Sequence, residues 1–188
     1  MNAIIIHGTC DKEEYFSDKY PSLSNSHWFP WLQKQLLMKG IFTQTPEMPE
    51  AYISDYEKWE KEFERFETND DTVLIGHSCG AGFLVRWLSE NKVNFSKLVL
   101  VAPWLDPERE KTDNFFDFQI DGKISERACV HVFLSEDDDA AILKSAGMVI
   151  GSMPGVKVHK FSGKGHFTFE DMKTHVFPEL LEIILSNN

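Results

Sequence analysis

Five short apolar runs, several of them uninterrupted, constrain the fold of this chain more than any other feature. They lie at residues 3–6, 72–75, 97–101, 130–134 and 156–161, with an edge-like sixth run at 42–45. Uninterrupted apolar runs of strand length are typical of parallel strands covered on both faces. Longer segments of helical period separate them, which predicts right-handed crossovers. We therefore expect an α/β fold of three layers, α/β/α, around a mainly parallel sheet.

Length and charge exclude several classes of protein. A chain of 188 residues fits one domain, so we expect residues 1–188 to form a single domain with a sizeable core. The formal net charge of −11 opposes binding to nucleic-acid phosphates. The apolar runs are too short to cross a bilayer, and three scattered cysteines are typical of reduced thiols. We therefore expect a cytoplasmic protein that binds neither nucleic acid nor membrane.

The pattern G-x-S-x-G occupies residues 76–80, with Ser78 at its centre. The apolar run 72–75 directly precedes it, and a segment of helical period follows it. A sharp strand-to-helix turn exposes the serine hydroxyl to a base and to oxyanion donors, and crowding at that turn favours glycine on both sides. The context predicts that Ser78 is a nucleophile. The alternative is a glycine-rich turn whose serine merely caps the helix.

The loop after the first strand begins with His7, Gly8 and Thr9. Hydrolases with a serine at such a turn take one oxyanion donor from an early strand-to-helix loop and another from the residue after the nucleophile. The backbone N–H groups of Thr9 and Cys79 are therefore candidates for stabilising the negative charge of the transition state. His7 and His77 adjoin these groups and are candidates for lining the substrate site.

His166 follows the last predicted strand and is preceded by Gly163 and Gly165, which leave an imidazole room to reach the serine. Its position matches the chain order Ser, Asp, His of such hydrolases, so it is the candidate general base. A carboxylate must orient that imidazole and stabilise its charged form. The acidic run at residues 137–139 follows the strand 130–134 and supplies one, without deciding which residue acts.

With these residues in place, the chain resembles the small serine hydrolases that include retinoblastoma-binding protein 9 and the bacterial YdeN-like proteins. The resemblance covers essentially the whole chain. It rests on the segments at residues 7–8, 28–32, 76–80, 137–139 and 165–167. It implies a trimmed α/β-hydrolase fold, lacking the first strands of larger relatives, and a Ser-His-Asp triad that acts on small esters or peptides.

Two departures from that family accompany the resemblance. Residues 10–27 form a longer segment than the glycine-rich loop usual there. Asp138 and Asp139 are followed by Ala140, where family members often have Asp-Asp-Pro. Ile142 lies three residues after Asp139 and matches the apolar residue at that offset. The resemblance therefore favours Asp139 over Asp138 as the triad acid.

Residues 104–127 interrupt the alternation of strands and helices. They follow a predicted strand and contain Phe115, Phe116 and Phe118. Such a segment is either an irregular connection or a short lid over a pocket. As a lid, its phenylalanines would limit the length of the acyl chain.

The sequence thus predicts a serine hydrolase, carboxylesterase-like or peptidase-like, that transfers the acyl group of a small ester or amide to water. We expect a monomer or small homo-oligomer that needs no cofactor and no metal. Residues 7–10 do not supply the G-x-G-x-x-G of a dinucleotide site, and H-E-x-x-H is absent from the chain. The alternative is a catalytically weak or inactive hydrolase scaffold that serves as a protein- or ligand-binding module.

Overall fold

The computed structural model describes residues 1–186, in which six strands form one sheet. Every pairing between neighbouring strands is parallel, and the strand order is β2-β1-β3-β4-β5-β6. The strands are β1 (Asn2–Ile6), β2 (Phe42–Gln44), β3 (Thr72–His77), β4 (Lys97–Val101), β5 (Cys129–Ser135) and β6 (Lys157–Phe161). The sheet predicted from the apolar runs is confirmed, and the run near residue 42 forms its edge.

Within residues 1–186 there are eight α-helices, six of them between strands and two after β6. They are α1 (Lys12–Tyr15), α2 (Phe29–Met38), α3 (Tyr56–Phe63), α4 (Cys79–Glu90), α5 (Ile124–Arg127), α6 (Ala140–Ser152), α7 (Phe169–Met172) and α8 (Pro178–Leu185). Gly40 follows α2 with φ +76°, the left-handed conformation in which helices commonly end. No helix within residues 1–186 is both long and apolar enough to span a bilayer.

Alternate residues of the strands build two cores, one on each face of the sheet. Ile4, Leu74 and Leu98 pack with the buried faces of α3 and α4. Ala3, Val73 and Val99 face the opposite way and pack with α2 and α8. The β1, β3 and β4 positions therefore alternate between two apolar layers, as strands covered on both faces require. The three-layer α/β fold is confirmed.

The order of the strands places a crevice at the carboxyl ends of β1 and β3. β1 pairs with β2 on one side and with β3 on the other. The strand order therefore reverses between β1 and β3. Ligands of open α/β sheets bind outside the carboxyl ends of the strands at such a reversal. Residues 7–9 follow β1 and Ser78 follows β3, so both candidate segments border this crevice.

Residues 104–127 form a mostly irregular connection that ends in α5. The ring of Phe115 is fully buried and meets Trp59 edge-on with the ring centroids 5.2 Å apart. Phe116 packs edge-on against Trp104 and over Gly82. Of the two alternatives for this segment, the structure favours the irregular connection, because Phe115 and Phe116 pack on the core beside α3 and α4.

Three buried histidines lie on the strands or at their ends, where apolar neighbours exclude water. Burial lowers the pKa of His7 and holds the pKa of His77 well below its ordinary range. Burial lowers the pKa of His131 to about 4, and its neighbour His159 adds to that effect. All three side chains are therefore neutral near neutral pH.

Glycines in two helices test how closely the elements pack. A Cβ added to Gly82 of α4 would lie 2.0 Å from the carbonyl oxygen of Trp104, which is backbone and cannot rotate away. A Cβ added to Gly147 of α6 would meet nothing within 4 Å. We expect Gly82→Ala to lower the free energy of unfolding by about 1–3 kcal/mol, and Gly147→Ala to raise it by about 0.5–1 kcal/mol. Urea unfolding measures both, and a well-tolerated Gly82→Ala would contradict this packing.

The neutral histidines predict that acid destabilises the fold. Their pKa values are lower in the folded chain than in the unfolded chain, where histidine titrates near about 6.5. Below that pH the unfolded chain binds more protons, so the free energy of unfolding falls as pH falls from about 6.5 to about 4. Urea unfolding at a series of pH values measures this slope. A stability that stays constant or increases on acidification would show that these groups are not buried as neutral imidazoles.

Two variants test how much of this pH dependence of stability comes from His131. We expect His131→Gln to flatten the pH dependence between about pH 6.5 and about pH 4, because glutamine does not titrate. His175→Gln, at an exposed histidine, is the control and should retain the slope of the wild-type protein. Equal slopes in the two variants would exclude His131 as a contributor.

Candidate active site

Ser78 lies on a strained turn between β3 and α4. Its φ of +56° and ψ of −124° are unfavourable for a residue with a side chain, and such strain concentrates at functional sites. Its backbone N–H donates to the carbonyl of Val101, and its carbonyl accepts from the N–H groups of Ala81 and Trp104. The turn is thus held from β4 and from the segment that follows it. This is the strand-to-helix turn predicted for the serine.

The side chains of Ser78 and His166 are in contact. The Oγ of Ser78 lies 2.9 Å from Nε2 of His166. Nδ1 of the same ring lies 3.0 Å and 3.2 Å from the two carboxylate oxygens of Asp138. An imidazole bonded in this way can accept a proton at Nε2 while the carboxylate stabilises the charge it gains. The structure therefore brings together Ser78, His166 and Asp138.

Asp139 lies elsewhere, contrary to the expectation that favoured it. Its carboxylate accepts the backbone N–H of Ala141 at 2.8 Å and caps the start of α6. Asp139 is exposed, whereas the side chain of Asp138 keeps only 3% of its surface exposed beside His166. The Asp139 carboxylate thus caps the helix, and the neighbouring Asp138 carboxylate points toward His166. The preference for Asp139 over Asp138 is therefore wrong as a statement about which carboxylate contacts His166.

The loop that carries His166 is tied to the end of β5. The carboxylate of Asp137 accepts the backbone N–H groups of Gly163 and Gly165 at 2.8 Å and 3.3 Å. The hydroxyl of Ser135 accepts the N–H of Lys164 at 3.1 Å. The Ser135 hydroxyl also donates to the Asp137 carboxylate, and this hydrogen bond, with smaller contributions from the N–H groups of Gly163 and Gly165, lowers the pKa of Asp137. Asp137, the first acid of the run at residues 137–139, thus orders the histidine loop.

Asp171 also holds this loop, and the sequence reasoning missed it. Its carboxylate accepts the backbone N–H of His166 at 2.8 Å and the hydroxyl of Thr168 at 3.0 Å. Thr168 in turn accepts the N–H of Asp171 and caps α7. A Thr followed three residues later by an acid is a capping-box pattern, so the signal was present in the sequence.

His7 supports the loop after β1 rather than exposing a surface to a substrate. Only 1% of its surface is exposed. Its Nδ1 lies 2.7 Å from the carbonyl of Gly8, and its Nε2 accepts the backbone N–H of Met48 at 2.8 Å. Since Nε2 accepts, Nδ1 carries the proton and donates to Gly8. Both ring nitrogens therefore form hydrogen bonds with main-chain groups.

His77 likewise bonds the main chain. Its Nε2 lies 2.8 Å from the carbonyl oxygen of His166 and donates to it, and 3% of its surface is exposed. His7 and His77 border a cavity that Ser78 and His166 also line, and their role in lining a substrate stays a prediction. Their nitrogens hold the two loops that meet at Ser78.

The backbone donors proposed for an oxyanion lie beside Ser78. Cys79 is the first residue of α4, where backbone N–H groups have no partner within the helix. A Cβ added to Gly8 would lie 3.0 Å from Cβ of Ser78, so the peptide of Gly8 and Thr9 passes directly next to the serine. Burial raises the pKa of the Cys79 thiol, which keeps that side chain protonated.

Two cavities meet at the serine. The first, of about 540 Å³, is bordered by Tyr52 and Trp104, and the second, of about 640 Å³, is bordered by His27 and Phe169. Thr9, Ser78 and His166 line both. A group bonded to Ser78 therefore has space on two sides.

Asp106, which the sequence reasoning also missed, shapes the first cavity. Burial opposes ionisation of its carboxyl, but hydrogen bonds from the backbone N–H groups of Glu110, Lys111 and Thr112 and from the Thr112 hydroxyl outweigh this and lower its pKa. The carboxylate thus folds residues 107–112 into the cavity wall. Nothing in the local sequence separates it from an ordinary surface acid.

Two relatives match nearly the whole chain. YdeN of Bacillus subtilis (strain 168) is 26% identical over 185 residues, which cover 93% of this chain and 95% of the relative. The serine hydrolase RBBP9 of Rattus norvegicus is 26% identical over 166 residues, which cover 85% of each chain.

Solved structures agree with this likeness. The crystal structure of the ydeN gene product from B. subtilis superposes with a TM-score of 0.81 at 25% identity and covers 97% of this chain and 96% of its own. The methylesterase MES16 from Arabidopsis superposes with a TM-score of 0.67 at 11% identity over 98% and 99% of the two chains, which shows the shared α/β-hydrolase fold. The model of the serine hydrolase family matches residues 19–182. The chain belongs to the serine hydrolase family.

Proposed function

We propose that the protein hydrolyses small esters or amides through an acyl-enzyme intermediate on Ser78. The observation that carries this proposal is the single His166 ring, which lies 2.9 Å from the serine hydroxyl on one side and 3.0 Å from the Asp138 carboxylate on the other. A hydroxyl is a weak nucleophile unless a base in contact removes its proton.

In the first half of the reaction, Oγ of Ser78 attacks the carbonyl carbon while Nε2 of His166 takes the hydroxyl proton. The carbonyl oxygen gains a negative charge in the tetrahedral intermediate. His166 then gives that proton to the leaving alcohol or amine as its bond to carbon breaks, which leaves the acyl group on Ser78. Asp138 stabilises the imidazolium that exists between the two proton transfers.

In the second half, a water replaces the leaving group. His166 takes its proton as the water attacks the acyl carbon, and returns it to Oγ when the carboxylic acid leaves. Both halves pass through a tetrahedral intermediate with an anionic oxygen. The same hydrogen-bond donors can therefore stabilise that charge in each half.

The backbone N–H groups of Thr9 and Cys79 are the proposed donors. The carbonyl of Gly8 and the N–H of Thr9 belong to one planar trans peptide and therefore point in opposite directions. Because His7 binds that carbonyl, it also sets the direction of the Thr9 N–H. The open first turn of α4 supplies the second donor.

Two cavities on either side of Ser78 support an ester with groups of moderate size on both sides of the scissile bond. With Phe115 buried in the core, the first cavity is instead bordered by Tyr52, Trp104 and the loop shaped by Asp106. The short-chain limit expected from the phenylalanines therefore has no support in the cavity walls.

Covalent labelling tests whether Ser78 is the nucleophile. We expect a fluorophosphonate probe to label the wild-type protein and not Ser78→Ala, because only an activated hydroxyl attacks the phosphorus. Ser78→Ala should also lose hydrolysis of p-nitrophenyl esters and keep its fold by circular dichroism. An unlabelled and inactive wild-type protein would instead support the binding scaffold, and labelling that persists in Ser78→Ala would move the nucleophile.

Two neighbouring substitutions test the acid. We expect Asp138→Asn to lower kcat by about 10³–10⁴, since the same change in a well-studied serine protease costs about 10⁴. Asp139→Asn is the matched control, because asparagine caps a helix about as well as aspartate and should change kcat and stability little. Steady-state kinetics on p-nitrophenyl esters compares them. The reverse ranking would assign the triad carboxylate to Asp139 despite its place at the helix end.

A further inference from the structure

His77 connects the strand of the nucleophile to the loop of the base. It is the last residue of β3 and directly precedes Ser78. Its Nε2 donates to the main-chain carbonyl of His166 at 2.8 Å, a hydrogen bond between positions 89 residues apart. The residue next to the serine therefore binds the backbone of the residue whose side chain contacts that serine.

The imidazole of His77 is held rigidly. Its ring centroid lies 5.9 Å from that of Phe29 and 6.0 Å from that of Trp28, and both of these rings are buried and meet it edge-on. The rings of His27 and His166 lie 5.7 Å and 5.0 Å away. Packed aromatic neighbours of this kind restrict the ring to one orientation.

The main chain of His166 is bonded on both sides. Asp171 accepts its N–H and His77 donates to its carbonyl, each at 2.8 Å. The surrounding loop is ordered as well, since five consecutive backbone N–H groups have acceptors. They belong to Gly163, Lys164, Gly165, His166 and Phe167. The loop carbonyl at His166 is thus the point at which this ordered loop is attached to β3.

We propose that His77 is a positioning residue that sets the distance between Nε2 of His166 and Oγ of Ser78. The inference rests on the hydrolytic function proposed above. A base that drifts by 1 Å can cost about 100-fold in rate. The other side-chain hydrogen bonds to the backbone of this loop come from Ser135, Asp137 and Asp171, so none of them ties it directly to β3. The bond from His77 makes that connection one residue from the nucleophile.

A role in contact with substrate fits the geometry less well. His77 exposes 3% of its surface, and its Nε2 proton is already given to a carbonyl. The nitrogen in contact with the Ser78 hydroxyl is Nε2 of His166 at 2.9 Å, whereas Nε2 of His77 donates to a carbonyl and so cannot accept a hydroxyl proton. Its contribution therefore acts through the main chain of His166.

Two substitutions separate the hydrogen bond from the volume of the side chain. His77→Met fills the site with a flexible apolar chain and removes the donor. His77→Gln keeps an N–H donor near the position of Nε2. We expect His77→Met to lower kcat on p-nitrophenyl esters by about 10- to 100-fold with KM unchanged, and His77→Gln to recover most of that loss. His131→Met, at a buried histidine of β5 away from the crevice, is the control and should leave kcat unchanged.

A second readout does not depend on catalysis. In a Ser78→Ala background, hydrogen exchange of the backbone amides at residues 163–167 should be faster with His77→Met than with His77 or His77→Gln. Equal exchange in all three chains, or equal losses of kcat in the Met and Gln variants, would overturn the proposal. If the wild-type protein hydrolyses no ester, the proposed function fails, while the exchange rates still decide whether His77 holds the loop.

Discussion

Backbone packed directly on backbone at the start of α4 is the contact on which the site depends. A Cβ added to Gly80 would lie 2.2 Å from the carbonyl oxygen of His7, and one added to Gly76 would lie 2.5 Å from Cα of Ala81. Only glycine allows these approaches, so the first turn of α4 rests on the end of β1. Ser78 is thereby forced to φ +56° and emerges next to the loop that begins at Gly8.

Features that depend on local sequence could be predicted. The strands follow from short apolar runs, and the turn at Ser78 follows from glycines between a strand and a helix. His166 could be identified as the candidate base because it follows the last strand, as the chain order Ser, Asp, His requires. The partners of its backbone could not be chosen in the same way. His77 reaches it through a contact that crosses the fold, which no local pattern shows. Asp171 reaches it from a capping box, a local signal separate from the patterns that identify strands and catalytic residues.

The acidic run shows how one rule can correct another. Three consecutive carboxylates have three separate roles: Asp137 bonds the histidine loop, Asp138 bonds His166, and Asp139 caps α6. α6 begins at Ala140, and aspartate is among the preferred residues immediately before a helix. That local preference accounts for Asp139 at the cap and leaves Asp138 to turn inward. The comparison with a family pattern, displaced by one residue, pointed the other way.

The phenylalanines of residues 104–127 could not be placed by sequence, since an aromatic residue suits a pocket and a core equally well. Phe115 is buried because α3 and α4 present Trp59 and Phe83 to it across the sheet face. Asp106, by contrast, shapes the cavity wall through main-chain hydrogen bonds. The shape of the first cavity therefore depends in part on the buried Asp106 carboxylate, a group that composition alone would place in solvent.

Neutral imidazoles link the stability of the fold to the geometry of the site. His7 donates from Nδ1 to Gly8 and accepts at Nε2 from Met48, and only the neutral ring can do both. Burial lowers the pKa of His7 and so preserves the acceptor that the Met48 N–H needs. A proton added there would remove one anchor of the loop after β1 and leave a buried N–H without a partner. The burial that makes the fold sensitive to acid is thus the same burial that holds the Thr9 peptide beside Ser78.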